Sequence, residues 1–400
     1  MGPEMPSRPG TPRLLRELND RSALDLLVSS GPLTRAQIGQ HTGLSKVTAS
    51  QLLSRLQERG LVSVVGEQAG GRGPNAALYA VVPSSAYVAG LEVGPNRVTA
   101  GVADITGEIA AEVTVDPNGA DDPVSVIHDA VVKACRSARI PLAKLHALVL
   151  GTPGVIDPRT GDVQFIYDLP HWHAGILQAL RRDLRLEVTI ENDVNLAALA
   201  ERADGAARDV GDFALLWATR GVGLAVMLGG RLHRGVSGGA GEIGYLPVPG
   251  MPLPDEDTES VTWGMPALGG GLGALVGADA IRELAGRYGF AASTATECVR
   301  TAAEAGEDGE PFMREFAARL AYGVASVTIV LDPGLVVIAG DVGRAGGERL
   351  AGLVEEAVGR ICPTRPRVAL TQVEGNPVLR GALLAAVDRA RDDVFSAPPA

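Results

Sequence analysis

Cysteine is scarce, with three in 400 residues, and Cys135, Cys298 and Cys362 stand far apart in no shared motif. That excludes a disulfide framework and fits a reducing compartment. Runs of about 20 apolar residues are lacking. The most apolar stretch, 327–339, is cut by Asp332-Pro333, so no membrane span is expected. The opening residues, MGPEMPSRPG, have no apolar core of a secretory signal. These absences lead to the expectation of a cytoplasmic protein without membrane contact. The composition is 46% hydrophobic and 21% charged, which excludes global disorder. The length leads one to expect two or three domains at about 150 residues each. Glycine is plentiful at 51 residues but follows no G-x-y period, so the chain is not collagen-like. It favours tight turns and close backbone approaches, as in α/β proteins with ligand loops.

A formal net charge of -11 argues at first against nucleic acid, but the charge is unevenly spread. Residues 1–80 hold nine Lys and Arg against six Asp and Glu, whereas the other 320 hold 27 against 41. A small basic head on a large acidic body is the asymmetry of a DNA-binding domain fused to something else.

The head itself reads as a helix-turn-helix. Leu14, Leu18, Leu24 and Leu27 recur at helical spacing over 13–29, with a break expected at Asn19-Asp20 and an end at Gly31-Pro32. Thr34-x-x-Gln37 is a capping-box pattern for a second helix. Gly43 supplies positive φ in a Thr42-Gly43-Leu44 turn, and Ser45 caps a third helix running from 46 to 59 and closed by Gly60. Gly39 is the small residue where the second and third helices touch. Ala49, Leu52, Leu53 and Leu56 fall at i, i+3, i+4 and i+7 and form the buried stripe. The opposite face carries Val47, Gln51 and Ser54, flanked by Lys46, Thr48, Ser50 and Arg55. Gln51 suits an adenine edge and Val47 a thymine methyl, while Ser45, Lys46, Thr48, Ser50 and Arg55 suit phosphates and groove edges. The competing reading of this helix alone is an amphipathic helix with a solvated polar face. Residues 61–65 and 77–82 then read as strands around a Gly-rich tip, GEQAGGRGP, that carries Arg72. A narrow hairpin with an Arg at its tip fits a minor groove. A flexible linker with one incidental Arg is the alternative.

After the short linker Pro83-Ser84-Ser85 come strand-like runs at 87–93, 98–104 and 108–115. A helix (124–139), strand (145–151), helix (173–182), strand (186–190) and helix (194–206) follow. Strands at 213–217, 222–228 and 231–233 open the series again. Helices at about 277–289 and 310–331, a strand at 335–339, a helix at 347–360, a strand at 367–371 and a helix at 377–391 complete it. The βββαβαβα order thus appears twice, which implies two lobes with a cleft between them.

The stretches GTPGVIDPRTGDV (151–163), VTIENDVNLAALAE (188–201), GVGLAVMLGGRLHRGVSGGAGEIGY (221–245) and VVIAGDVG (336–343) resemble the ROK family of repressors, open reading frames and sugar kinases. With the head, the chain resembles that family's transcriptional regulators over roughly 15–395. The resemblance implies an α/β fold: an N-terminal winged helix-turn-helix plus a two-lobed actin-like ATPase (ribonuclease H-like) body. The expected domains are 11–82 for the head, 86–206 with a C-terminal helix at about 377–392 for one lobe, and 207–376 for the other. In the family the Asp of E-N-D is the base that deprotonates a sugar hydroxyl, and the preceding Asn and the Glu of G-A-G-E bind the sugar. The resemblance places these at Asn192, Asp193 and Glu242. Gly154 lets the facing backbone come close, and Trp172, beside His171 and His173, suits stacking on a sugar ring. A helix N-cap is the competing role for Asn192-Asp193, a surface position for Glu242 and core packing for Trp172.

Departures from the family pattern narrow the function. Where kinase members have a Gly-Gly-Thr-Lys-like phosphate loop, this chain has Glu92-Val93-Gly94-Pro95-Asn96-Arg97. Pro95 has no N–H to donate to a phosphate. Thr219-Arg220 stands where the family has Gly-Thr in a second phosphate loop. The family's structural zinc uses one His and three Cys. Here Tyr245 holds the His position, Gly271 that of the last cysteine and Gly273 that of a sugar-binding Glu. No enzyme activity, cofactor or metal is therefore expected, although Tyr245 stays among the candidate ligand residues. The expected function is a DNA-binding regulator, a repressor acting as a homodimer or homotetramer on a palindromic operator. A sugar or sugar derivative in the cleft would bias it. The alternatives are a sugar kinase with an appended head, or a DNA-binding protein whose cleft is vestigial.

Overall fold

The computed structural model describes residues 12–69, 75–118, 120, 122–165, 175–251 and 270–396. The head is built from α1 (Pro12–Ser30), β1 (Leu33–Thr34), α2 (Arg35–Thr42), α3 (Lys46–Glu58), β2 (Val62–Gln68) and β3 (Ala76–Val81). The expected caps form. Thr34 accepts from the Gln37 N–H while the Gln37 side chain reaches back to the Thr34 N–H, closing the capping box. Gly43 ends α2 at φ 71, and Ser45 accepts from the Thr48 N–H at the start of α3. A Cβ at Gly39 would meet the Leu44 carbonyl at 3.2 Å, so the α2–α3 crossing needs a small residue there.

Two features of the head differ from expectation. Helix α1 runs unbroken through Asn19-Asp20, because Asp20 turns inward, 7% exposed, and is ion-paired with Arg55 at 2.6 Å. In addition, β1, not foreseen, adds a third strand to the wing sheet, in the order β1-β3-β2.

The body consists of two five-stranded sheets. The first is built by β4 (Tyr87–Val93), β5 (Val98–Asp104), β6 (Ile109–Val115), α4 (Pro123–Ala138), β7 (Leu145–Thr152), a small hairpin of β8 (Val155–Ile156) and β9 (Val163–Phe165), α5 (Ile176–Leu184), β10 (Glu187–Asn192) and α6 (Asp193–Asp204). The second is built by β11 (Phe213–Ala218), β12 (Val222–Leu228), β13 (Arg231–Leu232), α7 (Leu272–Val276), α8 (Ala278–Arg287), α9 (Ala295–Glu304), α10 (Glu310–Leu331), β14 (Leu335–Ala339), α11 (Gly340–Val358) and β15 (Arg367–Leu370), after which α12 (Pro377–Ser396) returns to pack on the first. The sheet orders are β6-β5-β4-β7-β10 and β13-β12-β11-β14-β15. In each, the first three strands form an antiparallel meander and the last two are parallel additions beside the first strand. The doubled topology expected from the sequence is present.

Helix α9 was not expected, although Thr294-x-x-Glu297 forms a capping box that announces it. Helix α11 begins at Gly340, ahead of the expected 347, and is interrupted by Gly347 at φ 61.

Helices α6 and α12 pack against one another between the two sheets, and glycines bring them close. A Cβ at Gly381 of α12 would run into the Leu196 carbonyl oxygen of α6, and one at Gly90 of β4 would lie 2.8 Å from Leu383. One apolar core runs without interruption from Leu24, Ile38, Leu52 and Leu56 of the head to Phe213 and Leu383 of the body, with Phe395 in it. Burying these side chains, each worth about 1.5–3 kcal/mol, ties head and body together.

Candidate nucleic-acid interface and ligand cleft

On α3, Ala49, Leu52, Leu53 and Leu56 are buried, as the periodicity requires. Val47 is 67% exposed, and Ser45, Lys46, Ser50 and Gln51 are exposed beside it. Thr48 is half-buried, its hydroxyl 2.9 Å from that of the capping Ser45, and the Arg35 guanidinium approaches the Ser50 hydroxyl at 3.4 Å. Arg55 departs from the expected outward face. Its guanidinium donates to Asp20 of α1 at 2.6 Å, in an ion pair reinforced by Arg59 at 3.8 Å. A buried carboxylate needs a partner, so Arg55 braces the helix bundle through Asp20. Arg72 lies outside the described residues.

The cleft forms at the carboxyl ends of β4, β7 and β10, whose residues Glu92, Gly151 and Glu191 are in register. Asn192 is the N-cap of α6 and accepts from the Asn195 N–H at 3.0 Å. Its amide nitrogen donates to the Gly154 carbonyl, also at 3.0 Å, and Gly154 takes φ 107, a conformation open to glycine. The cap role was expected of Asp193 if either residue served only structure, yet Asn192 fills it, which leaves Asp193 as the first residue of the helix. The Asp193 carboxylate accepts from the Val194 N–H at 2.9 Å. Burial pushes this carboxyl up to about 6. The Val194 bond pulls it back, and Glu92 and Glu242 add to the rise. Glu242 is half-buried, and burial raises its carboxyl above its ordinary value. Tyr245 lies in a one-turn 3-10 helix directly after Glu242. Trp172, His171 and His173 lie outside the described residues.

Four residues that sequence reasoning missed hold this arrangement. Glu191 is 8% exposed and accepts from the Asn192 N–H, from Asn195 Nδ2 at 2.9 Å and from Arg234 of the second lobe at 2.7 Å. Glu92 accepts from Asn376 Nδ2 at 2.6 Å, and Asn376 in turn caps α12. Glu191 was detectable as a carboxylate at the end of an apolar strand. Arg234 and Asn376 carry no local signal. The loop after Arg234 is pressed on the first lobe, since a Cβ at Gly238 (φ 84) would run into the Ile156 carbonyl oxygen.

The phosphate-loop segment closes on itself. The Gly94 N–H bonds the Arg97 carbonyl at 3.0 Å and Pro95 has none, so neither of these two backbone positions can donate to a phosphate. The family's structural zinc does not fit the residues present. Tyr245 holds the histidine position, Gly271 flanks α7, and Cys135, Cys298 and Cys362 are buried in three separate places. Among the described residues no group of three or more His, Cys, Asp or Glu could hold a metal ion, and no helix is long and apolar enough to cross a membrane.

The fold and cleft define a two-lobed α/β body of the actin-like type fronted by a winged helix. Residues 88–388 match the model of the ROK family, and the chain belongs to that family. Residues 17–73 match the MarR family model. The DNA-binding transcriptional dual regulator NagC of Escherichia coli (strain K12) is 26% identical over 241 residues, which span 60% of this chain and 59% of that protein. A xylose repressor of Bacillus subtilis (strain 168) is 23% identical over 58% of this chain and 61% of its own. Among solved structures, a ROK family transcriptional regulator described as a homolog of the E. coli MLC protein covers 96% of this chain and 98% of its own with a TM-score of 0.74, at 17% identity. A ROK hexokinase from Thermus thermophilus covers 76% of this chain and 99% of its own, at 29% identity and a TM-score of 0.61.

Proposed function

We propose that this chain is a DNA-binding transcriptional regulator, a repressor, that acts as a homodimer or homotetramer on a palindromic operator and answers to a sugar or sugar derivative held in its cleft. The observation that carries the reading is the outward face of α3. A helix capped at both turns buries its apolar stripe and leaves Val47 and Gln51 open to solvent. Gln51 reads a base edge, Val47 touches a methyl, and Ser45, Lys46, Thr48 and Ser50 meet backbone or groove edges, with Arg72 in the adjacent minor groove. Gly154, Asn192, Asp193 and Glu242 form the polar wall of the ligand site, which Tyr245 and Trp172 complete. Paired carboxylates and an amide suit vicinal hydroxyls. Relatives of known role include an N-acetylglucosamine repressor and xylose repressors, which supports a regulator over an enzyme.

A gel-shift series on the promoter region of its own gene, at several salt concentrations, with and without N-acetylglucosamine, xylose or glucose, tests this. A specific, salt-sensitive shift released by one sugar is expected. Absence of any specific shift ends the DNA reading, and a shift indifferent to every sugar leaves a cleft that no longer responds.

One observation favours a second reading. The Asp193 carboxyl, raised to about 6, is tuned as a general base would be, and kinases share the fold. Against it stands the closed Gly94–Arg97 turn. ADP release over a sugar panel separates the two, with no turnover expected.

A further inference from the structure

We propose that α12 is a rigid strut that joins the ligand cleft to the DNA-reading head, with Asn376 as its cleft-side contact and Arg59, Arg21 and Phe395 as its head-side grip. This inference rests on the proposed regulator reading and names how its two sites are coupled.

The cleft end is fixed by one side chain used twice. Asn376 Oδ1 accepts from the Leu379 N–H at 3.0 Å and so caps α12, while its Nδ2 donates to Glu92 at 2.6 Å. Glu92 sits in register with Gly151 and Glu191 at the mouth of the cleft. Any ligand that shifts Glu92 or its neighbour Asp193 therefore acts directly on the cap of this helix.

The far end is held by the head. Arg59, just past α3, donates to the last-turn carbonyls of Val394 at 2.7 Å and Phe395 at 3.5 Å. A guanidinium is well placed there, because the final carbonyls of a helix are unsatisfied and carry its negative pole. Arg21 of α1 pairs with Asp392 at 2.7 Å and lies over the Phe395 ring at 5.6 Å. Phe395 is 1% exposed within the core shared with the head. Arg59 also faces Asp20, which holds Arg55 of α3. The grip thus reaches the helix that presents Val47 and Gln51.

Between its ends the helix has little freedom to bend. Twenty residues span about 30 Å at 1.5 Å per residue. Along that length α12 is seated on glycines. Leu383 fills the space above Gly90 and Gly101, Val378 that above Gly151, and Gly381 lies against the Leu196 backbone of α6. Arg380 bonds Asp204 at 2.6 Å and the Gly107 carbonyl at 3.0 Å, and Arg391 bonds the Ile105 carbonyl at 2.9 Å. A displacement at Asn376 is passed on as a tilt or shift of the whole rod.

Amide hydrogen exchange on the full-length chain tests this without operator or sugar. Asn376→Asp keeps a capping oxygen but sets a carboxylate against Glu92. It is expected to speed exchange in 21–27 and 52–59 of the head at least fivefold while leaving 281–302, in α8 and α9, unchanged. Because coupling is reciprocal, Arg21→Ala is expected to speed exchange in 192–197 and 376–381. Unchanged exchange at the distant end in both variants, or an equal rise in α8 and α9, overturns the strut. Failure of the strut leaves the regulator reading standing. Failure of the gel shift sinks that reading while the exchange result keeps its meaning.

Discussion

The two five-stranded sheets of the body share strand order and the sense of every pairing, yet they end differently. In the first, β10 runs into Glu191-Asn192-Asp193 and α6, whose first turn holds a half-buried carboxylate facing the cleft. In the second, β15 runs into a short loop and then α12, whose Asn376 cap donates its amide hydrogens to Glu92. Both fifth strands thus lead to an asparagine-capped helix, and these two helices lie against each other. The first carries the chemistry of the cleft and the second has become its mechanical counterpart. Duplication supplied the frame. The two halves differ most in the few residues at these strand ends.

The largest expected effect comes from parting these two helices. Gly381→Ala sets a methyl against the backbone of Leu196, which has no flexible end to yield. The expected loss is about 3 kcal/mol in urea-unfolding stability, whereas Gly352→Ala, whose Cβ site inside α11 is open, is expected to gain up to about 1 kcal/mol.

Next comes the asymmetry of charge. Burial raises Asp193 to about 6, so the native state holds a proton that the unfolded chain releases near 4. From pH 4 to 6 this group therefore makes stability fall as pH rises, and above 6 its charge is a constant burden. Asp193→Asn removes that slope and is expected to add about 1–3 kcal/mol at pH 7.5, measured by urea titration at a series of pH values. Lost stability at pH 7.5 would make the carboxylate a structural partner and would cancel the contrast between the two strand ends.

The smallest effect separates the two roles on α3. Arg55→Ala is expected to cost about 1–2 kcal/mol of stability and to leave base preference alone, since Arg55 serves Asp20. Gln51→Ala is expected to leave stability within about 0.5 kcal/mol and to relax preference at one base pair by about 1–3 kcal/mol. Thermal unfolding and binding to a set of single-base operator variants read both.

The head was largely legible because its signals are local. A capping box, a positive-φ glycine and a stripe at i, i+3, i+4 and i+7 sit within thirty residues. The turn of Arg55 toward α1 was not legible for the complementary reason. Its partner Asp20 lies 35 positions away, and nothing near either residue marks the pair. The strands of the body followed from their apolar runs. Helix α9 did not, although Thr294 and Glu297 offered a cap, because its ten residues are rich in alanine and polar side chains. In the cleft, Asn192, Asp193 and Glu242 came from resemblance, and the structure brings them together. Glu92, Glu191, Arg234 and Asn376 belong to pairings across 43 and 284 positions that only the closed fold creates.

Gly238 sits where a strand-crossing loop of one lobe rests on the Ile156 carbonyl of the other. That seam admits hydrogen and nothing larger, so any side chain at position 238 would push this loop off the first lobe. A methyl added there would therefore part the lobes on the side where Arg234 reaches Glu191, and leave every cleft residue chemically unchanged.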